Sequence, residues 1–333
     1  MDQPLLPQLV DLAPRAGEVC YAELACLAVK FVRLLILCFT ISSALLQFKQ
    51  LFSFYKDSSD DCDASYPKMK EWREDTDCCS WDVGGLTCDT VTGHVIGLDL
   101  SCSCLHGSIP SNSSLFLLSH LQKLNLAFNN FYLSQIPSDF VRFPGLTHLN
   151  LSSSNFYGQV PFEISHLSKL VSLDLFGDLT FGTLVMEGLV QNMTEIEELS
   201  LDGVSMSTIA PGYLTNLSSS LMLLRLRNCG LQGRYPKNIC NLPNLHTLDL
   251  QYNYDLKCVF PKVNWSSPLR YLDVSVRPSN NSPFDASYAA ATSVQQSADG
   301  HTFDTINIPQ LIQGHLCQPL LQSSTAGVPI DSG

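Results

Sequence analysis

Leu248-Asp249-Leu250-Gln251-Tyr252-Asn253, introduced by Leu245 three residues earlier, reads as a Leu-x-Leu-x-x-Asn phrase. The phrase returns along the chain. Its first leucine falls at Leu98, Leu124, Leu149, Leu173, Leu199, Leu224, Leu248 and Leu272, at intervals of 24 to 26 residues. Alternate residues of an extended segment point to opposite faces. The two leucines of each pair therefore face an interior, and the residue between them faces out.

A hydrophobic phrase repeated at this period is the signature of a leucine-rich-repeat solenoid. Each coil supplies one short strand, and stacking the coils at about 4.8 Å builds a parallel sheet on the concave side. Past the strand the chain must turn, and the turn's backbone groups need partners. Asn129, Asn253 and Cys229 hold the position that provides them, with Ser103, Ser154, Asp178 and Val204 as weaker substitutes. A further apolar residue (Leu105, Phe131, Phe156, Leu231, Leu256) then re-enters the core. The expected fold is an α/β solenoid, a right-handed stack of about eight leucine-rich repeats over residues 95–276. One elongated domain is expected from the repeat, although 333 residues would allow two by size.

Net charge is −12. Nucleic acid and anionic membrane surfaces need basic patches, so neither is an expected partner. Thirteen cysteines point to an oxidising compartment. Residues 1–30 form an unassigned extension. Residues 31–44 combine basic residues, an apolar run and the small residues Ser42 and Ala44, the pattern of a secretory signal peptide. Leu45, Phe48, Phe52 and Tyr55 fall on one side of a helix. They open a cap over residues 45–94, where Trp72, Trp81 and cysteines can cover the first coil. From 277 to 333 the repeat vanishes into Ser, Gln, Ala, Pro and Asn, read as a disordered or foreign tail. A last coil ending there is expected to expose Leu269, Leu272 and Val274.

No phosphate loop, His-Glu-x-x-His or Gly-x-Ser-x-Gly occurs, so no catalytic residue, metal or cofactor is assigned. His120, His148, His166 and His246 read as exposed or edge positions of repeats. Cys102 and Cys104 could pair or bind metal, with Cys102 read as an edge residue of the first coil. Asn-x-Ser/Thr sequons occur at Asn112, Asn150, Asn192, Asn216, Asn264 and Asn280, candidate glycan acceptors in a secreted chain. Ligand binding would use the concave face. The candidates are the outward residues Asn125, Asp174, Arg225 and Asp249 with the neighbouring aromatics Phe128, Phe176 and Tyr252. Together they make an acidic strip with aromatic anchors that suits a peptide or basic protein.

Three stretches carry a family resemblance. They are Asp77-Cys78-Cys79-Ser80-Trp81-Asp82, Leu86-Thr87-Cys88-Asp89, and Thr92-Gly93-His94-Val95-Ile96-Gly97-Leu98-Asp99-Leu100-Ser101-Cys102. This region resembles the amino-terminal cap of plant leucine-rich-repeat receptor-like proteins of the Cf-type disease-resistance class. Leu105-His106-Gly107-Ser108-Ile109-Pro110, Phe156-Tyr157-Gly158-Gln159-Val160-Pro161 and Leu231-Gln232-Gly233-Arg234-Tyr235-Pro236 resemble the plant form of the repeat. The likeness spans about Ala44 to Ser275 and implies the amino-terminal part of an ectodomain.

The resemblance implies a non-enzymatic extracellular recognition module in plant defence or developmental signalling, at the cell surface or in the apoplast. It implies a peptide or protein ligand and a co-receptor kinase as partner. It also implies a disulfide-bearing cap, for which the expected pairs are Cys79 with Cys88 and Cys62 with Cys78. Two alternatives remain: a secreted inhibitor of microbial cell-wall-degrading enzymes, and a truncated, non-functional receptor fragment.

Overall fold

The computed structural model describes residues 40–59, 62–74, 76–81, 84–132, 134–236, 239, 242–257 and 268–274. The extension 1–30, most of the signal segment, Asn264, Asn280 and the tail 277–333 lie outside the described residues. The chain divides into two compact units, Met1–Tyr157 and Gly158–Gly333, where the repeat alone suggested one domain.

The first unit opens with helix α1, residues 40–49. Its buried face is Ile41, Ala44, Leu45 and Phe48. The helix then stops, and Phe52–Phe54 forms strand β1. This corrects the expected helical stripe: Phe52 packs from a strand, and Tyr55 is exposed. β1 runs antiparallel to β4, Leu105–Gly107. The Phe48 and Phe52 rings meet edge to face at 5.0 Å, and Phe52 meets Phe131 at 5.9 Å. The boundary read at Ala44 cuts through α1. Ser42 Oγ donates to the Thr76 carbonyl, and the Ala44 carbonyl accepts from Ser114 Oγ at 2.6 Å.

β2 (Leu86–Cys88) pairs antiparallel with β3 (Val95–Asp99) and closes the end of the sheet. Trp72 and Trp81 stack 5.4 Å apart behind it, with Trp72 Nε1 donating to the Gly84 carbonyl. Gly85 sits at φ +75°, and a side chain there would strike the Asp99 backbone. Only glycine tolerates both conditions. Cys79 and Cys88 form a disulfide. Cys62 is bonded to Cys102, not to Cys78. The reason is local. Tyr66 N donates to the Cys102 carbonyl, and the left-handed turn at Cys102 (φ 51°) places that edge residue against the loop carrying Cys62. Cys78 is buried within the cap. Cys104 is a buried free thiol.

β3, β5 (Lys123–Asn125) and β6 (His148–Asn150) then run parallel. The marker leucines stand in register, Leu98 against Leu124 and Leu124 against Leu149. The second unit repeats the pattern. It begins with β7 (Gly158–Gln159), β8 (Ser172–Asp174) and β9 (Leu179–Thr180). Helix α2 (Thr183–Asn192) follows, then β10 (Glu198–Ser200), β11 (Leu223–Arg225) and β12 (Gly233–Arg234). β13 (Thr247–Asp249), β14 (Leu256–Lys257) and β15 (Tyr271–Asp273) complete it. Leu173, Leu199, Leu224, Leu248 and Leu272 form one in-register row across β8, β10, β11, β13 and β15. All are buried, and so are Leu269 and Val274. The expectation that the last coil exposes its leucines is corrected: Leu269, Leu272 and Val274 are 7%, 5% and 9% exposed. Among the described residues no helix is long and apolar enough to cross a membrane.

Between strands the chain returns through single turns of 3-10 helix, as at Ser114–Leu117 and Ser138–Arg142, or through α2. The turn after each strand is closed by the asparagine position. Asn129 Nδ2 donates to the carbonyls of Leu100, Leu126 and Ala127, and its Oδ1 accepts from Ser103 N and Leu105 N. Asn253 makes the same set with Leu226, Leu250 and Gln251 as acceptors and Cys229 and Leu231 as donors. Cys229 Sγ and Ser154 Oγ supply part of the set to the carbonyls of neighbouring coils. Val204 supplies none and is buried as an apolar filler. Asp178 is exposed.

Two outcomes follow from these roles. Leu224→Asp should destabilise the fold by about 3–5 kcal/mol, since it leaves an unpaired charge between coils, and should abolish secretion. Arg225→Ala, one residue on but exposed, should change the melting temperature little; equal loss of secreted protein in both would refute the assignment of faces. Asn129→Ala should cost at least about 1–3 kcal/mol, because it strands buried backbone donors and acceptors. Ser154→Ala, which removes fewer bonds, should cost less in the same chemical-denaturation measurement.

Candidate ligand-binding face

The residue between the two leucines of a pair is exposed at Asp99 and Arg225 and buried at Asp249 and Asp273, and in several coils it has a partner in the turn. Asp99 Oδ1 accepts from Ser101 N, Asn125 Oδ1 from Ala127 N, and Asn150 Oδ1 from Ser152 N. Asp174 Oδ1 accepts from Phe176 N, and Asp249 Oδ1 from Gln251 N. One oxygen of each side chain thus closes the turn at the strand end, the bond by which Asx residues favour turns. Asn125, Asp174 and Asp249 were candidate contacts, and each has this structural duty. Arg225 stands in the same row and is exposed.

The position three residues further along carries the turn's strain. Cys102, Phe128, Ser153, Asn228 and Tyr252 all have φ between 49° and 62°, and Gly203 has φ 76°. Each directly precedes the residue at the asparagine position. Glycine adopts this backbone freely, whereas a bulky L-residue there costs roughly 1–2 kcal/mol. Phe128 and Tyr252 occupy it nevertheless, and both are partly exposed. Phe176 is reached without such strain and is 47% exposed.

In the second unit the face is a charge network. Asp249 and Asp273 are neighbours in register across β13 and β15 and are 5% and 2% exposed. Gln251 Nε2 donates to Asp273 Oδ2. Arg227 N donates to Asp202 Oδ1 at 2.7 Å, and its Nε stands 3.7 Å from Asp249 Oδ2, an ion pair too long for a hydrogen bond. Its guanidinium lies 5.7 Å over the Tyr252 ring. Burial pushes the Asp249 carboxyl up to about 6; Asp202 and Asp273 add to this, while Gln251 N–H and Arg227 oppose it. Burial likewise raises Asp174 and Asp202. In the first unit the balance reverses. Burial would raise Asp99, but its bonds to Ser101 and Lys68 hold it below the ordinary range. Lys68 of the cap, 3.0 Å from Asp99 Oδ1, thereby ties down the first outward position.

Asp202, Arg227 and Gln251 are central to this network but were not among the candidate contacts. The signal was available at Leu-x-Leu-x, where the residue after the second leucine also faces out. Burial drives the Cys229 thiol far above its ordinary value. Asp77, Cys78 and Cys79 cluster, but Cys79 is in a disulfide and Asp77 Oδ1 accepts from Cys79 N. His94 and His120 stack 3.7 Å apart at the junction of cap and repeats. Of the sequons, Asn112 and Asn216 are exposed, Asn150 and Asn192 are half-buried, and Asn192 Nδ2 donates to the Ser165 carbonyl.

The Leucine Rich Repeat family model matches residues 120–143. Receptor-like protein 6 of Arabidopsis thaliana is 40% identical over 249 residues, 69% of this chain and 24% of that protein. Receptor-like protein Cf-9 of Solanum pimpinellifolium is 42% identical over 235 residues, 67% of this chain and 26% of that protein. Receptor-like protein 9DC1 of the same species is 38% identical over 271 residues, 78% of this chain and 31% of that protein. The chain thus spans a quarter to a third of the length of these curated relatives. The crystal structure of a plant ice-binding protein has the same fold, with 22% identity, 66% of this chain and 72% of that chain covered, and a TM-score of 0.51. With its in-register leucine rows, its asparagine-closed turns and these relatives, the chain belongs to the plant leucine-rich-repeat receptor-like proteins.

Proposed function

We propose that this chain is an extracellular recognition module without catalytic activity, and that it takes a basic peptide or protein on the open face of its second unit. The observation that carries this reading is the set of four carboxylates there. Asp174, Asp202 and Asp249 lie near Arg225 or Arg227, and Asp273 stands beside Asp249 in register, which leaves two negative charges in excess on a face where burial strengthens fields. Tyr252, held in a strained backbone under Arg227, and the exposed Phe176 supply aromatic anchors. Membership of the receptor-like proteins supports a place on the cell surface or in the apoplast, a role in defence or developmental signalling, and a co-receptor kinase that relays the signal.

A peptide of alternating glycine and arginine, immobilised and probed with the secreted, disulfide-intact chain, tests the face. Binding should weaken steeply with salt. The Asp202→Asn/Asp273→Asn double variant should lose about tenfold or more in affinity. Equal capture by a glycine–glutamate peptide, or an undiminished double variant, would sink the proposal. Tyr252→Asn should bind more weakly while melting no lower than wild type, because asparagine tolerates the left-handed backbone better.

The direction of the pH effect also follows. Asp249 is neutral below about 6 and charged above, so capture of the cationic peptide should weaken as pH falls through 6. Stability should move the other way. A carboxyl whose folded value exceeds its unfolded value binds more protons when folded, so stability is greatest at low pH and declines between about 4 and 6. Asp249→Asn should flatten that decline, which is on the order of 1 kcal/mol after allowance for solvent screening. Urea titrations at pH 4.5 and 7 measure it.

A further inference from the structure

Among the described residues stand four Asn-x-Ser/Thr sequons, at Asn112, Asn150, Asn192 and Asn216. They differ in what the side-chain amide is already doing. Asn150 Oδ1 accepts from Ser152 N at 3.0 Å and from Ser152 Oγ at 2.7 Å. Both bonds use the oxygen. Among the described residues Asn150 Nδ2 donates to nothing, and it is not enclosed. Asn112 is exposed and directly precedes Ser113, whose hydroxyl caps the turn Ser114–Leu117. Asn216 is exposed at the end of Pro211–Asn216, and it too engages only its oxygen, which accepts from Thr215 Oγ1 at 3.4 Å.

Asn192 is the reverse case. It ends α2, and its Nδ2 donates to the Ser165 carbonyl at 3.1 Å. Ser165 is buried, and a methyl group added at Gly188 of α2 would strike its hydroxyl. α2 therefore packs on residues 162–166 with no space left at the contact that Asn192 joins.

A glycan needs the nitrogen. In its transfer Asn Nδ2 bonds to C1 of the first sugar and gives up one proton. The C1–O bond to the donor, a lipid-diphosphate oligosaccharide, breaks, and the diphosphate leaves with the electron pair. At Asn150 the turn uses the oxygen alone, so its bonds survive the modification. At Asn192 the sugar is loaded on the atom that faces a buried carbonyl. Transfer runs ahead of folding, so every sequon is offered. Chains that take a sugar at Asn192 then lose the α2 contact and do not complete the fold.

We propose that the secreted, folded chain carries N-glycans at Asn112, Asn150 and Asn216 and that Asn192 stays bare. This rests on the extracellular reading above, because the donor is met only in the secretory pathway. The Asn150 glycan matters most for recognition. Asn150 is in register with Asn125, and Phe128 N donates to the Ser152 carbonyl of the same sequon at 3.0 Å. Asn125 and Phe128, both candidate contacts, thus share their face with a bulky hydrated sugar that obstructs a protein ligand. The cationic peptide is left the face of the second unit.

The chain is expressed in plant cells, recovered from the medium and treated with a peptide-N-glycosidase in heavy-oxygen water. Each occupied asparagine becomes a labelled aspartate that peptide mass spectrometry locates. Label is expected at Asn112, Asn150 and Asn216 and not at Asn192. Asn150→Asp keeps an acceptor for the turn, as Asp174 does in its own coil, so it should be secreted normally and lose the mass of one glycan. Asn192→Ala should lose no glycan mass but melt at a lower temperature, since the buried Ser165 carbonyl loses its donor. A secreted chain bare at Asn112, Asn150 or Asn216, or labelled at Asn192 in most molecules, would overturn the proposal and leave the extracellular reading standing. A chain confined to the cytosol would overturn both.

Discussion

A coil of about 25 residues cannot bury its own leucines, and this limit shapes everything else in the chain. Each marker leucine needs a neighbour above and below, so the strands must run parallel and in register. That register forces the chain to leave every strand by the same turn. The turn buries backbone groups that only a side chain with both donors and acceptors can satisfy. Asn129 and Asn253 do this in full. Where Cys229 or Ser154 stands instead, fewer bonds are made. Where Val204 stands, hydrophobic filling takes over. The core tolerates these substitutes because the coils on either side impose the geometry.

The same constraint explains what could be read from the amino acids and what could not. The leucine rows and the turn asparagines were legible, because a period of 24 to 26 residues has few physical solutions. The cap was less so. Leu45, Phe48, Phe52 and Tyr55 have helical spacing, yet the backbone switches to a strand at Phe52, where pairing with Leu105–Gly107 outweighs local periodicity. The partner of Cys62 was illegible for a related reason. It depends on the left-handed turn at Cys102, a product of the repeat rather than of the cap motif.

On the open face Asp99 and Arg225 are exposed while Asp249 and Asp273 are buried, and the duties of these residues were hidden. An acidic residue between two leucines looks like a recognition group. Asp99, Asp174 and Asp249 spend one oxygen on the turn, as Asp249 does on Gln251 N, and Asn125 and Asn150 do the same. Asp and Asn recur there for a reason of folding before any reason of binding. The ligand-binding role proposed for this face therefore rests on positions outside that turn bond, such as Arg227, the residue after the second leucine, and the left-handed position that Phe128 and Tyr252 occupy.

That left-handed position separates folding from function most clearly. Glycine, as at Gly203, satisfies the turn without strain. Every side chain placed there raises the energy of the folded state, so nothing in the stacking of coils calls for an aromatic ring. Phe128 and Tyr252 stand there all the same, and Tyr132 holds a similar backbone. In all three the strain lies in a turn over-determined by the coils beside it, which is the condition under which such conformations persist. The repeat thus provides a rigid frame with spare stability, and the aromatic rings draw on that stability to stand out into solvent.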